Sequence, residues 1–333
     1  MANYRVPKRK IVLLSFLLSF YTAFSQQKHL KNIFFRLSAD NDALVPSDNA
    51  TDWGYTSGNR VDLFYTSSKR RSNFFTWFNK FAGPDPVTTK GWGMMQMIFA
   101  PQKTSLAVPD KNDYPYSGAL FAIHTIHSAN PVKNISFQSE WVVGVMGPPS
   151  FAKQTHLFFH HLIKDPPPMG WDYQLPTDLL LNFNIEAEKL IARNKLASFI
   201  GTGQVRGGTM NDGLSAGICV RAGNLKNYFN GLSGQYFPGK EIHASMSVKI
   251  SANLVLYNAL LQGGLFNKRS PVHDKQSPLG TDRKMQHLTS TGEFFFLVSM
   301  GKFALSFQLK YVSPELKGYE SHSFGNISLC KTL

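Results

Sequence analysis

Cysteine is nearly missing from this chain: Cys219 and Cys330 are the only two in 333 residues. Two are too few for a disulfide scaffold, and both are expected as small side chains within strands. Acid is also scarce, with 21 Asp and Glu against 35 Lys and Arg, a formal net charge of +14. After the first 25 residues no apolar run reaches the length needed for a membrane-spanning helix. Internal repeats and low-complexity tracts are absent. No zinc-finger spacing, helix-turn-helix pattern or basic stripe appears, so no nucleic-acid partner is expected.

What is present begins with an export signal. Arg5, Lys8, Arg9 and Lys10 precede an apolar stretch from Ile11 to Phe20. Small Ala23 and Ser25 stand three and one before a cut ahead of Gln26, so residues 1–25 are expected to be a signal peptide and 26–333 the mature protein. Removing the four signal cations leaves 31 Lys and Arg against 21 Asp and Glu, still a formal +10. Excess positive charge on an exported protein suggests an anionic partner such as a phosphorylated lipid.

The mature chain alternates with period two, the signature of half-buried strands. From Glu241 to Leu256 the even positions include Ile242, Met246, Val248, Ile250 and Leu254, and the odd ones His243, Ser245, Lys249, Ser251 and Asn253. Similar runs start near Asn134, Leu179 and Lys302. Strands of a soluble sandwich run about five to six residues. Longer strands, apolar on one side and bearing Glu, Lys, Asn and Gln on the other, predict an all-β fold: a transmembrane antiparallel β-barrel with a polar interior. Aromatics at strand ends (Phe64, Tyr65, Trp92, Phe99, Trp141, Tyr257, Tyr311) are expected in interfacial girdles.

The pattern gives about twelve strands, an even number that places both termini on the inner side. They fall near 32–40, 57–66, 92–100, 116–127, 134–147, 178–192, 196–206, 214–223, 241–256, 285–299, 302–312 and 323–331. Leu260 to Phe266 is a candidate further hairpin. If the first strand runs outward, short turns at 130–133, 193–195 and 300–301 lie inside, and long connections at 41–56, 101–115, 148–177 and 257–284 lie outside. Two long inner linkers, 67–91 and 224–240, are exceptions. The first carries Arg70, Arg71, Phe74, Phe75, Trp77 and Phe78 and reads as an amphipathic surface segment.

Unusual polar residues collect in the first three outer loops. Asp40-Asn41-Asp42 opens the first loop and Thr51 to Gly58 closes it, so their oxygens could converge on a hard cation such as Ca²⁺. Turn chemistry alone also accounts for Asn, Asp and Gly there. The third loop contains an expected short helix, Ser150 to Lys164, with His156, His160 and His161. His156 and His160, four apart, share a face and could bind zinc or supply a general base. A Ser–His pair stays open, but no serine stands out.

In chain order these fragments resemble the LpxR family of outer-membrane lipid A 3'-O-deacylases. The matching pieces are Asn41-Asp42, Thr51 to Gly58, Gln96 to Pro101, Asp113 to Gly118, Gly147-Pro148 to His160, Gly170 to Leu175, and Gly217 to Asn224. The resemblance implies a twelve-stranded barrel whose site lies between its wall and the outer leaflet, and a Ca²⁺-dependent esterase that removes the 3'-linked acyloxyacyl group of lipid A. It puts Asn41, Asp42 and Thr56 on active-site and calcium positions and His160 on the catalytic histidine. Lys103 or Lys111 would hold a lipid A phosphate. Four positions depart from the family pattern. Tyr114 replaces an arginine, His156 replaces a glutamine, Leu106 stands where some members have a lysine, and Leu333 ends the chain in place of an aromatic. The rival readings are a narrow pore, an inactive lipopolysaccharide-binding relative, a zinc hydrolase using His156 and His160, and a phospholipase acting on glycerophospholipid.

Overall fold

The computed structural model describes residues 30–45, 53–67, 80–223, 228–274 and 284–333. The expected signal peptide, the segment expected to be amphipathic around Arg70 to Phe78, Thr51, Asp52 and Asn224 lie outside the described residues.

Twelve antiparallel strands close into a barrel in which each pairs with its sequence neighbours and the first pairs with the last. They are β1 (Leu30–Asn41), β2 (Gly54–Ser67), β3 (Val87–Ala100), β4 (Ser117–Asn130), β5 (Ile135–Met146) and β6 (Asp178–Arg193). The second half comprises β7 (Ala197–Gly208), β8 (Asn211–Gly223), β9 (Ile242–Asn258), β10 (Leu288–Met300), β11 (Phe303–Val312) and β12 (His322–Thr332). The seam runs from Phe34 opposite Thr332 to Asn41 opposite Gly325. Closure satisfies the backbone of both terminal strands, which an open sheet in lipid would leave unpaired. Among the described residues there are also three α-helices, α1 (Ala152–Ile163), α2 (Gly231–Tyr236) and α3 (Ala259–Gln262), and short 3-10 turns.

Alternation sorts the side chains as expected. On β9, Ile242, Met246, Val248, Ile250, Leu254 and Leu256 are exposed on the outer wall, whereas Ser245, Ser251 and Asn253 are buried inside. Ion pairs brace the interior. Asp62 receives both Arg36 (2.7 Å) and Arg60 (2.9 Å), and Arg60 also reaches Glu140 on β5 (3.2 Å). On the far side Lys249 pairs with Glu186 (3.2 Å) and Lys310 with Glu293 (3.6 Å). Both cysteines are free and buried.

Both mouths are filled. The linker after β8 turns back into the lumen from the short-turn end: Leu232 of α2 packs on Phe34 and Phe64, and Tyr236 and Phe237 pack on Leu297, Ala304 and Cys330. Arg36 donates to the Tyr236 hydroxyl (3.3 Å), which ties this plug to the ion-pair ladder. At the long-loop end Trp53, Tyr114, Leu260, Met285 and Leu316 form an apolar cap. Between them lies a polar chamber of about 400 Å³ lined by charged groups that include Glu186, Arg206, Lys249 and Lys310.

Two expectations change. Leu260 to Phe266 forms no hairpin. Asn258 caps a single helical turn by accepting from the Leu260 N–H (3.0 Å), and Leu260 and Leu261 are buried in the cap instead of alternating. The girdle is smaller than expected, because Phe64, Phe99 and Tyr257 belong to the inner packing. Trp92 and Tyr311 stay exposed on the wall. The β7–β8 connection, outside the four long outer connections expected, is only Thr209 and Met210.

Candidate functional site

The first loop begins at the tip of β1. Asn41 caps a one-turn 3-10 helix, Asp42–Leu44, by accepting from the Ala43 N–H (2.9 Å). The Asp42 carboxylate is buried and accepts from the same N–H (2.9 Å). Across the hairpin, the β2 register slips between Tyr55 and Ser57, leaving Thr56 in a bulge. Bulges re-aim side chains at barrel rims. Here Tyr55 turns inward, its hydroxyl donating to Asp40 (2.5 Å), while Ser57 pairs with outward-facing Ile98 and Asn41. Asn41 Nδ2 reaches the Thr56 carbonyl (3.4 Å). Asn41, Asp42 and Thr56 thus lie together beside the rim, and their amide, carboxylate and hydroxyl oxygens are of the type a hard cation takes.

Two strands along the same outer wall, α1 lies against β3 and β4. Strand spacing puts β4 about 10 Å from β2. The helix enters from a 3-10 turn, Pro148–Ser150, through Phe151 in the left-handed region (φ 58°). Gln96 on the outer face of β3 donates to the Ser150 carbonyl (2.7 Å) and pins that entrance. Gly118 is required beneath it: a Cβ there would meet the Ala152 Cβ at 2.1 Å. Lys164, also left-handed (φ 60°), ends the helix ahead of Pro166, Pro167 and Pro168.

The polarity of α1 is the reverse of an ordinary surface helix. Ala152, His156 and His160 form the buried stripe, whereas Phe158, Phe159, Leu162 and Ile163 are exposed. Apolar exposure continuous with a lipid-facing wall suits a helix that meets acyl chains on its open side. Beneath it, Trp171 packs with Ile98, Ala100, Tyr116 and Ala152. The Trp171 indole donates to His156 Nδ1 (3.2 Å), and the two histidine Nε2 atoms are 3.1 Å apart. On its other nitrogen, His160 Nδ1 lies 2.7 Å from the Pro166 carbonyl and 3.0 Å from the Asp165 carboxylate.

The structure therefore collects the sequence candidates into two groups on one rim, Asn41–Asp42–Thr56 over β1–β2 and His156–His160 over β3–β4. Lys103 and Lys111 are exposed in the loop after β3, which also packs on the third loop through the Met169 N–H and the Thr104 carbonyl (2.7 Å). Leu106 is in the same loop and 40 % exposed. Tyr114 faces the other way, into the mouth cap beside Trp53 and Tyr319, while Tyr116 stacks on Trp171. Sequence reading did not single out Trp171, Asp165 or Gln96 as working residues. Trp171 and Gln96 carried a signal, as parts of the Gly170 to Leu175 and Gln96 to Pro101 fragments, and Asp165 carried none. It also passed over Gly213-Leu214-Ser215-Ala216-Gly217, which spells a nucleophile turn. Ser215 sits mid-strand on β8 and receives Arg206 (3.4 Å), so no strand-to-helix turn presents it. Among the described residues no three His, Cys, Asp or Glu side chains gather as a metal cluster, which leaves the zinc reading without a third such ligand.

A barrel of this size with its polar groups on the outer rim is similar to solved outer-membrane proteins. LpxR from Salmonella typhimurium superposes with a TM-score of 0.72 at 17 % identity, covering 90 % of this chain and 100 % of that one. The β domain of the Bordetella autotransporter BrkA matches at a TM-score of 0.45 and 5 % identity, covering 91 % and 99 %. No curated protein matches by sequence. The model of the family described as outer membrane protein LpxR matches residues 11–333. A twelve-stranded barrel with this loop order, matched over nearly its whole length, belongs to the LpxR family of outer-membrane proteins.

Proposed function

We propose that this protein is an esterase of the outer leaflet that removes the 3'-linked acyloxyacyl chain of lipid A. The observation that carries the reading is His160: its Nδ1 is held by Pro166 and Asp165, so Nε2 is left as the basic nitrogen, on a helix whose open face is apolar. A buried imidazole oriented by a carboxylate suits general-base work. Nε2 takes a proton from water, and the water oxygen attacks the ester carbonyl. The Nδ1–H then points at Asp165, which stabilises the imidazolium. The proton taken up on Nε2 passes to the departing sugar oxygen as the ester bond breaks, giving a free acid and an alcohol. Asn41, Asp42 and Thr56 would hold Ca²⁺, which when bound withdraws charge from the carbonyl oxygen.

The packed mouths oppose the pore reading, because among the described residues apolar side chains close both ends of the polar chamber. The phospholipase reading shares the ester chemistry and differs only in the lipid. Purified protein with Ca²⁺ should release fatty acid from lipid A and leave glycerophospholipid intact, and His160→Ala should abolish release while the barrel still migrates as folded. Hydrolysis of glycerophospholipid alone would transfer the assignment to the phospholipase; no release from any lipid would defeat the esterase.

A further inference from the structure

We propose that His156 is a positioning residue that sets the tautomer of His160 and occupies its basic nitrogen until substrate enters; the catalytic part of this rests on His160 being the base.

The inference follows from a chain of contacts in which every link has one permitted direction. An indole N–H can only donate. Trp171 Nε1 lies 3.2 Å from His156 Nδ1, so that nitrogen must accept and carries no proton. The neutral ring therefore has its hydrogen on Nε2. His156 Nε2 is 3.1 Å from His160 Nε2, and with the hydrogen on the first, the second accepts. His160 must then carry its own proton on Nδ1. There it meets the Pro166 carbonyl at 2.7 Å, a group that can only accept. The chain is anchored by an obligate donor at one end and an obligate acceptor at the other, and both rings between them are buried.

Two consequences follow for the proposed reaction. His160 is held in the tautomer a base needs, Nε2 unprotonated, without depending on Asp165 alone. An sp² ring nitrogen has a single lone pair, and His156 already occupies it. Water can reach Nε2 only when the two rings part, so His156 both prepares the base and covers it. A glutamine here could accept from Trp171 and donate to His160 with one carboxamide, whereas an apolar side chain could do neither.

Nitrogen-15 spectra of histidine-labelled protein in detergent test this directly, because ring-nitrogen shifts report the tautomer. Wild-type protein should show His156 protonated on Nε2 and His160 on Nδ1. His156→Gln should keep the His160 pattern and most of kcat. His156→Leu should give His160 a mixture of tautomers and lower kcat about tenfold or more with little change in KM. His160 protonated on Nε2 in the wild type, or unchanged in His156→Leu, would overturn the proposal. The wild-type spectrum decides even if a variant fails to fold. The described tautomers without acid release from any lipid would support the pair and overturn the esterase, so the two failures are distinguishable.

Discussion

Gly118 on β4 and Ala152 at the start of α1 are in backbone-close contact: a Cβ on Gly118 would sit 2.1 Å from that of Ala152 and 2.8 Å from Ser150 Oγ. The histidine helix therefore rests on bare strand, and its height above the wall is set by a missing methyl group. Gly118→Ala should lift α1, at an overpacking cost of about 1–3 kcal/mol. We expect ester release to fall by about a hundredfold, since small misplacement of positioned groups has that effect. Heat-modified gel mobility should show a folded barrel throughout. Full activity in this variant would mean that the helix tolerates displacement.

The cation reading makes a prediction that does not depend on turnover. If Asn41, Asp42 and Thr56 hold Ca²⁺, saturating Ca²⁺ should raise the unfolding temperature through preferential binding to the native state. Asp42→Asn removes the carboxylate charge and should abolish that rise, along with Ca²⁺-dependent activity. An equal Ca²⁺ response in wild type and variant would place the ion elsewhere.

The plug predicts electrical silence. Wild-type protein in a planar bilayer should pass no steady current, because Leu232, Tyr236 and Phe237 fill the inner mouth against Phe34, Phe64 and Leu297. Deleting residues 231–237 should not by itself produce large steps, since the outer cap remains. Combining the deletion with Leu260→Ser and Leu316→Ser should open a conducting path. Leu232→Ala alone should cost about 2–3 kcal/mol of stability, as for other buried leucines. Steady wild-type conductance would revive the pore.

Glu315, in the outer loop between β11 and β12, gives a pH signature. Burial pushes its carboxyl up to about 7, only partly offset by Lys310. Its contribution runs opposite to that of an ion-paired acid. Below the ordinary carboxylate range both folded and unfolded forms hold the proton, so nothing is lost. As pH rises from about 4.5 to about 7 the unfolded chain ionises first, and stability falls by at most a few kcal/mol. His322, 3.9 Å away and pushed down to about 4 by burial, acts in the opposite sense over most of that window, so the difference between wild type and Glu315→Gln isolates the acid. Relative to Glu315→Gln, the wild-type unfolding temperature should fall as pH rises from about 4.5 to about 7; an unchanged difference across the window would contradict the burial of Glu315.

Much of the barrel was legible before any coordinates. Period-two alternation along β9 states which face meets lipid, and one slipped residue would expose every Ser and Asn on it. Turn length set the orientation, because Met300, Gly301 and Lys302 leave no room for anything but a tight return. The ordered loop fragments named the candidates Asn41, Asp42, Thr56 and His160. Alternation failed where aromatics near a strand end can serve either face. Phe64 and Phe99 look like girdle residues in sequence, yet they point inward because the plug and the cap supply apolar partners there.

What the chain determined by itself is local: strand faces, turn positions, and a helix that sets His156 and His160 on one face. Those depend on the spacing of neighbouring residues along one element. What only the tertiary structure decided is long-range. Arg60 on β2 reaching Glu140 on β5 bridges 80 residues, and the donor order from Trp171 through His156 and His160 to Pro166 exists only once a loop folds beneath its own helix. No spacing in the sequence encodes that order, because it comes from which hydrogen-bonding atoms the closed fold brings into contact.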